Sequence, residues 1–160
     1  MKGVRLFSVI LIGLWLAGGC QEGLAPRLNL GGASPDFLLI VLSVLGLYCK
    51  RRQGAFLGFA AGMIEGSLAG ANLSAYVLTR TIAGFACASI SHFEFEPNPF
   101  VAGAVTAVVT VLANLGVMFV SPPGAIFPFV LATIGSAVVN GVLAMPLHLL
   151  IRRLSDPYVR

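Results

Sequence analysis

An all-α integral membrane bundle of about six transmembrane helices is the fold class the sequence predicts, and three observations predict it. Of the 160 residues, 58% are hydrophobic and only 10% are charged, where a soluble domain carries about 25% charged residues. The mean hydropathy is +0.94, so polar side chains are too few to cover a water-facing surface and lipid must cover it. The apolar residues also fall into runs near the roughly 20-residue length that a spanning helix needs. Charges and Pro, Gly and Asn separate those runs. A single polytopic membrane domain over 1–160 is therefore expected.

The first segment runs from about Val4 to Gly23, with Lys2 and Arg5 ahead of it and Gly18-Gly19-Cys20 near its end. This has the look of a secretory or lipoprotein signal. A lipoprotein box wants Leu three residues before the cysteine, whereas Ala17 stands there and Leu16 comes one place too early, so Cys20 is expected to stay unlipidated. A signal anchor and a cleaved signal enter the membrane in the same direction, and the topology is the same for both. Residues 24–33, with Pro26, Arg27, Asn29 and Gly31-Gly32, read as an interfacial connector. The second segment opens at Ser34-Pro35-Asp36, where Ser can cap, Pro fits the first helical position and Asp suits the positive end of the helix dipole. It ends at Lys50-Arg51-Arg52, and its apolar part from Phe37 to Cys49 is short for a full span.

The third segment covers Gln53 to about Gly70, and the fourth Leu73 to about Ser91. A loop of alternating His92, Glu94 and Glu96 between aromatic and proline residues follows, and that spacing is weak as a metal-ligand pattern. The fifth segment, Phe100 to Val120, stops at the turn signal Ser121-Pro122-Pro123-Gly124. The sixth, Ala125 to Ile151, carries Pro146 as a possible kink and ends at Arg152-Arg153. Six crossings put both termini on one side. Lys2, Arg5, Lys50, Arg51, Arg52, Arg152, Arg153 and Arg160 then share that side against Arg27 alone on the other, which makes both termini cytoplasmic. These short basic clusters are topology signals, not the basic face of a nucleic-acid binder, despite the net charge of +4.

Two constellations stand out. Gly54, Gly58, Gly62, Gly66 and Gly70 recur at four-residue intervals along the third segment. Such a row leaves a groove where another backbone can approach closely, which supplies contact where lipid offers no hydrophobic gain. It is read as helix packing within the chain or as a docking face for a partner helix. Glu65 and Arg80 are ionisable groups inside apolar segments, costly there unless paired or functional. Counted from the turn near Ala71, they lie about 9 Å and about 13 Å deep at 1.5 Å per residue, close enough for the two side chains to meet. Asn114 and Asn140 read as interhelical hydrogen-bond glue, and His148 as an interfacial residue near Arg152. Cys20, Cys49 and Cys87 lie far apart, without metal-ligand spacing. Neither a phosphate-binding glycine loop, a Ser-His-Asp set nor a His-Glu-x-x-His motif occurs, so no catalytic residue, metal site or cofactor is expected.

Ser34-Pro35-Asp36-Phe37-Leu38-Leu39-Ile40, the basic turn, Gly54 to Gly70 with an acid at Glu65, and Leu73-Ser74-Ala75 to Arg80-Thr81-Ile82-Ala83-Gly84-Phe85 together resemble the bacterial rod shape-determining MreD family. The resemblance is clearest from about Gln21 to Phe85 and only compositional beyond. At Glu65 the family more often carries Asp, which keeps the charge. The resemblance implies a non-enzymatic scaffold of the cell-elongation machinery in the bacterial inner membrane. Its partners would be the single-span protein MreC and, through it, MreB filaments and the peptidoglycan synthases, with no small-molecule substrate. It also implies a fold similar to the substrate-binding components of energy-coupling-factor transporters, and a small-molecule-binding transport component is the alternative, with a lipid-modifying membrane enzyme a distant third.

Overall fold

A computed structural model of the chain describes residues 2–29, 32–70, 72–90 and 98–155. Among the described residues the chain is all-helical, without strands: α1 (Lys2–Gly23), a 3-10 turn (Ala25–Leu28), α2 (Phe37–Gly46), α3 (Arg51–Ala69), α4 (Leu73–Ile90), α5 (Pro99–Val120) and α6 (Ile126–Ser155). Of these, α4, α5 and α6 are long and apolar enough to cross a membrane. Trp15, Phe56, Phe100, Phe119 and Phe127 are exposed on the outside, a surface that suits lipid and not water. Hydroxyls that would otherwise be stranded fold back onto their own helices, Thr81 donating to the Val77 carbonyl at 2.6 Å and Thr110 to the Thr106 carbonyl at 2.8 Å, as apolar surroundings require.

The centre of the bundle is α2. Leu38, Leu39, Ile40, Leu42, Ser43, Val44, Leu45 and Gly46 are all buried, because α1, α3, α4, α5 and α6 each pack against it. A helix that is apolar all round can be packed on every side. At ten residues it is about 15 Å long, half the roughly 30 Å hydrocarbon thickness.

Around α2 stand two tight hairpins, and glycine makes both of them tight. A methyl group added at Gly54 would strike the Gly84 carbonyl and the Ala88 methyl, one at Gly58 the Arg80 carbonyl, one at Gly62 the Cα of Val77 at 2.6 Å, and one at Gly66 the Leu73 side chain at 2.7 Å. The stripe is therefore the seat of α4 within the chain, not a free face. Gly70 does not belong to it. It caps α3 in the left-handed conformation at φ +63° with open space around it, the usual device for ending a helix. The α5/α6 hairpin repeats the arrangement with one reciprocal pair: a methyl at Gly103 would meet the Gly141 carbonyl at 2.8 Å, and one at Gly141 the Gly103 carbonyl at 3.0 Å.

Three local expectations are corrected. Asp36, not Ser34, caps α2, its carboxylate accepting from the Leu39 N–H at 2.8 Å, and Pro35 sits just before the cap, outside the helix. The backbone N–H of Ser34 is instead turned to Ser136 on α6. The triplet Lys50-Arg51-Arg52 opens α3 and does not close α2, which ends at Gly46. Gln53 reaches back to the Lys50 N–H at 2.9 Å, so the helix start is satisfied by a neighbouring side chain despite the cations around it. Pro146 lies inside a continuous α6.

Candidate functional site

The chain enters α2 from within the bundle. Gly32 lies near Ala132, Ala33 against Gly135, and the Ser34 N–H donates to the Ser136 hydroxyl at 3.2 Å. The Asp36 N–H donates to the Asn140 side-chain oxygen at 2.9 Å. Residues 32–36 thus run extended along the first half of α6, and α2 begins midway along it. Irregular backbone at such depth persists only if every polar group is satisfied by protein. Here side chains from other helices do so, with Gln21 of α1 accepting from the Phe37 N–H at 2.8 Å.

At this junction sits the cluster that contains the sequence-predicted charges. Arg80 donates through Nε to Glu65 Oε2 and through Nη2 to Glu65 Oε1, both at 2.5 Å. The same Nη2 reaches Asp36 Oδ2 at 2.6 Å. Glu65 of α3 and Arg80 of α4 are therefore together, and Asp36, read from sequence as a dipole partner at the helix start and as part of the family motif with Pro35, joins them. The guanidinium is 1% exposed, and the Asp36 and Glu65 side chains keep 15% and 11%. Short, two-pronged, charge-assisted contacts of this kind fix orientation as well as energy. The Tyr76 ring lies 5.7 Å from the guanidinium carbon, within cation–π range.

A neutral shell surrounds the charges. Asn140, which orients Asp36, donates in turn to Thr110 of α5 at 3.1 Å. Gln21, Asp36, Glu65, Arg80, Thr110 and Asn140 draw one polar group from each of the six helices or their junctions into a connected network. Such networks rigidify a unique arrangement when their members are satisfied. Asn140 has the gluing role expected of it. Gln21, and Ser136 beside the network, were not legible in the sequence, because each acts on a backbone N–H of 34–37 that only tertiary structure brings near. Asn114 is half-buried on α5.

The remaining candidates lie elsewhere. His148 is fully buried, stacked on Tyr48 with ring centroids 5.7 Å apart and its Nδ1 3.2 Å from the Tyr48 hydroxyl. Cys49 and Cys87 are buried and Cys20 half-buried, and none of the three is in a disulfide. His92, Glu94 and Glu96 lie outside the described residues. Between α4 and α5 a groove lined by Thr79, Ile82, Ala83, Ala113 and Gly116 opens toward the outside, and its lining is apolar.

Comparison with family models, with curated proteins and with solved structures finds no match.

Proposed function

We propose that this chain is a non-enzymatic scaffold of the bacterial cell-elongation machinery. In this reading it is a multi-pass protein of the cytoplasmic membrane with six crossings and both termini cytoplasmic. It binds a single-span partner of the MreC kind and so takes part in controlling cell shape and peptidoglycan synthesis. The proposal extends to a bundle of the type found in the substrate-binding components of energy-coupling-factor transporters. One observation carries it: Asp36, Glu65 and Arg80, spread over 44 positions and central to the MreD resemblance, meet in a single buried cluster. Their ionic contacts are made with one another and hold α3, α4 and the start of α2 together, which is the use a scaffold has for them.

A small-molecule-binding transport component is the second reading. It is favoured by the start of α2 midway along α6, since interrupted helices commonly build the substrate sites of transporters. Against it, among the described residues Asp36, Glu65, Arg80, Thr110 and Asn140 make hydrogen bonds to one another.

Depletion in a rod-shaped host tests the first reading. Elongated cells should become round, and affinity capture from native membranes should recover a single-span membrane protein. Unchanged shape with loss of uptake of a small nutrient would reject the scaffold in favour of the transport component.

A further inference from the structure

The buried cluster contains two acids and one base. Among the described residues, the groups facing it from the surrounding elements are Gln21 from α1, Tyr76 from α4 beside Arg80, Thr110 from α5 and Asn140 from α6, none of them a second cation. With both carboxyls ionised, the interior would hold an uncompensated negative charge midway along a membrane-length helix, which is among the most unfavourable arrangements a bundle can contain.

The guanidinium reports how many negative charges it faces. Its Nε/Nη2 edge is given wholly to Glu65, while Asp36 receives one bond from the Nη2 already shared with Glu65. The Nη1 nitrogen is buried and, among the described residues, donates to nothing. A second ionised carboxylate would be drawn to the vacant Nη1/Nη2 edge, where two parallel bonds are available. Asp36 Oδ2 and Glu65 Oε1 instead converge on the same Nη2, at 2.6 and 2.5 Å. Two carboxyl groups that share one site repel each other when both are ionised, and a single proton held between them removes that repulsion.

We propose that Asp36 and Glu65 form a proton-binding site, holding one proton between them so that the Asp36–Glu65–Arg80 cluster is electrically neutral. The ligand is a single proton taken up from solvent, and it ties the capped start of α2 to α3 through a carboxyl–carboxylate bond. Its removal would leave a net charge of −1 at the junction.

Infrared difference spectroscopy on the full chain in lipid nanodiscs at neutral pH tests this. The wild-type protein should show the carbonyl stretch of a protonated carboxyl group that moves down in deuterium oxide. Glu65→Gln and Asp36→Asn should each abolish the band, because either change leaves a single carboxylate, which Arg80 keeps ionised. Absence of the band from the wild type, or its survival in either variant, would overturn the site. A measurement on the wild type alone covers the case in which a variant fails to fold. Carboxyl-¹³C labelling of the aspartates, and separately of the glutamates, should shift the band in at least one sample, and a band shifted by neither label would equally overturn the assignment.

Discussion

The carbonyl of Arg80 rests against the Cα of Gly58, so closely that a methyl group at position 58 would strike it and the Cα of Thr81 beside it. The glycine row and the ion cluster are thus one device: the close approach of α3 and α4 sets how far the Arg80 side chain must reach to meet Glu65. Gly58→Ala should therefore loosen the hairpin. Overpacking of this kind costs about 1–3 kcal/mol, occasionally more, and it meets backbone here, which cannot rotate away. Gly19→Ala is the comparison, since nothing lies within 4 Å of a methyl there, and it should leave stability unchanged or slightly raised. Thermal unfolding in detergent measures both, and equal behaviour of the two variants would remove the packing argument.

Asp36 has two separable duties, and two substitutions separate them. Its Oδ1 caps α2 by accepting from Leu39, and its Oδ2 meets Arg80. Asp36→Asn keeps a capping oxygen but gives up the charge, whereas Asp36→Ala loses both. The difference between the two variants should be about 0.5–2 kcal/mol, the range for loss of an N-cap. Indistinguishable stabilities would mean that the cap contributes nothing at this junction.

In the proposed six-crossing topology, the crossing that contains α2 is made of two unlike pieces. Residues 32–36, extended along α6, cover about 16 Å at 3.3 Å per residue, and the ten residues of α2 add about 15 Å. Together they match the roughly 30 Å of a bilayer core, which allows a full crossing despite the short helix. Reporter fusions after Cys49 and after Arg153 should accordingly report cytoplasm, and fusions near Ala71 and Gly124 the outside. An outside signal at the Lys50–Arg52 turn would reduce the number of crossings and reverse the orientation argued from the basic residues.

The parts of this arrangement legible in the sequence are those governed by local pattern. The spans α4, α5 and α6 are visible because their apolar runs are long and bounded by Asn72, Asn98 and the Pro122-Pro123-Gly124 turn. Depth counting from one turn suffices to bring Glu65 and Arg80 together, since both are measured along helices that share it. Asp36 escapes the same arithmetic. Its place in sequence, next to a connector with Pro, Asn and Gly, reads as interfacial, and only its contact with Asn140, 104 positions away, puts it in the interior. The row of glycines is visible but its occupant is not: periodicity shows a groove, while the choice between α4 and a foreign helix depends on Gly84 and the backbone of 73–81 filling it. Gly103 and Gly141 have no periodic row around them and could not be paired from sequence.

The three-membered cluster makes the consequences of removing its charges unequal. In an isolated pair, Glu65→Gln and Arg80→Gln would each orphan one charge and do comparable harm. With Asp36 also on the Arg80 Nη2, Glu65→Gln leaves a neutral Asp36–Arg80 pair and should be the milder change. Arg80→Gln leaves two buried acids without a cation. Breaking a buried pair from one side costs about 3–5 kcal/mol, and snorkelling or water entry in a bilayer lowers that penalty, so the loss should fall at the lower end of that range or below it. The double variant Glu65→Gln/Arg80→Gln should recover part of the Arg80→Gln loss, because one acid then remains where there were two, flanked by neutral amides able to hydrogen-bond to it. Unfolding of all four proteins in mixed detergent yields the coupling directly. Additive losses would mean that Glu65 and Arg80 do not interact, and equal losses from the two single changes would mean that Asp36 takes no share of the Arg80 charge.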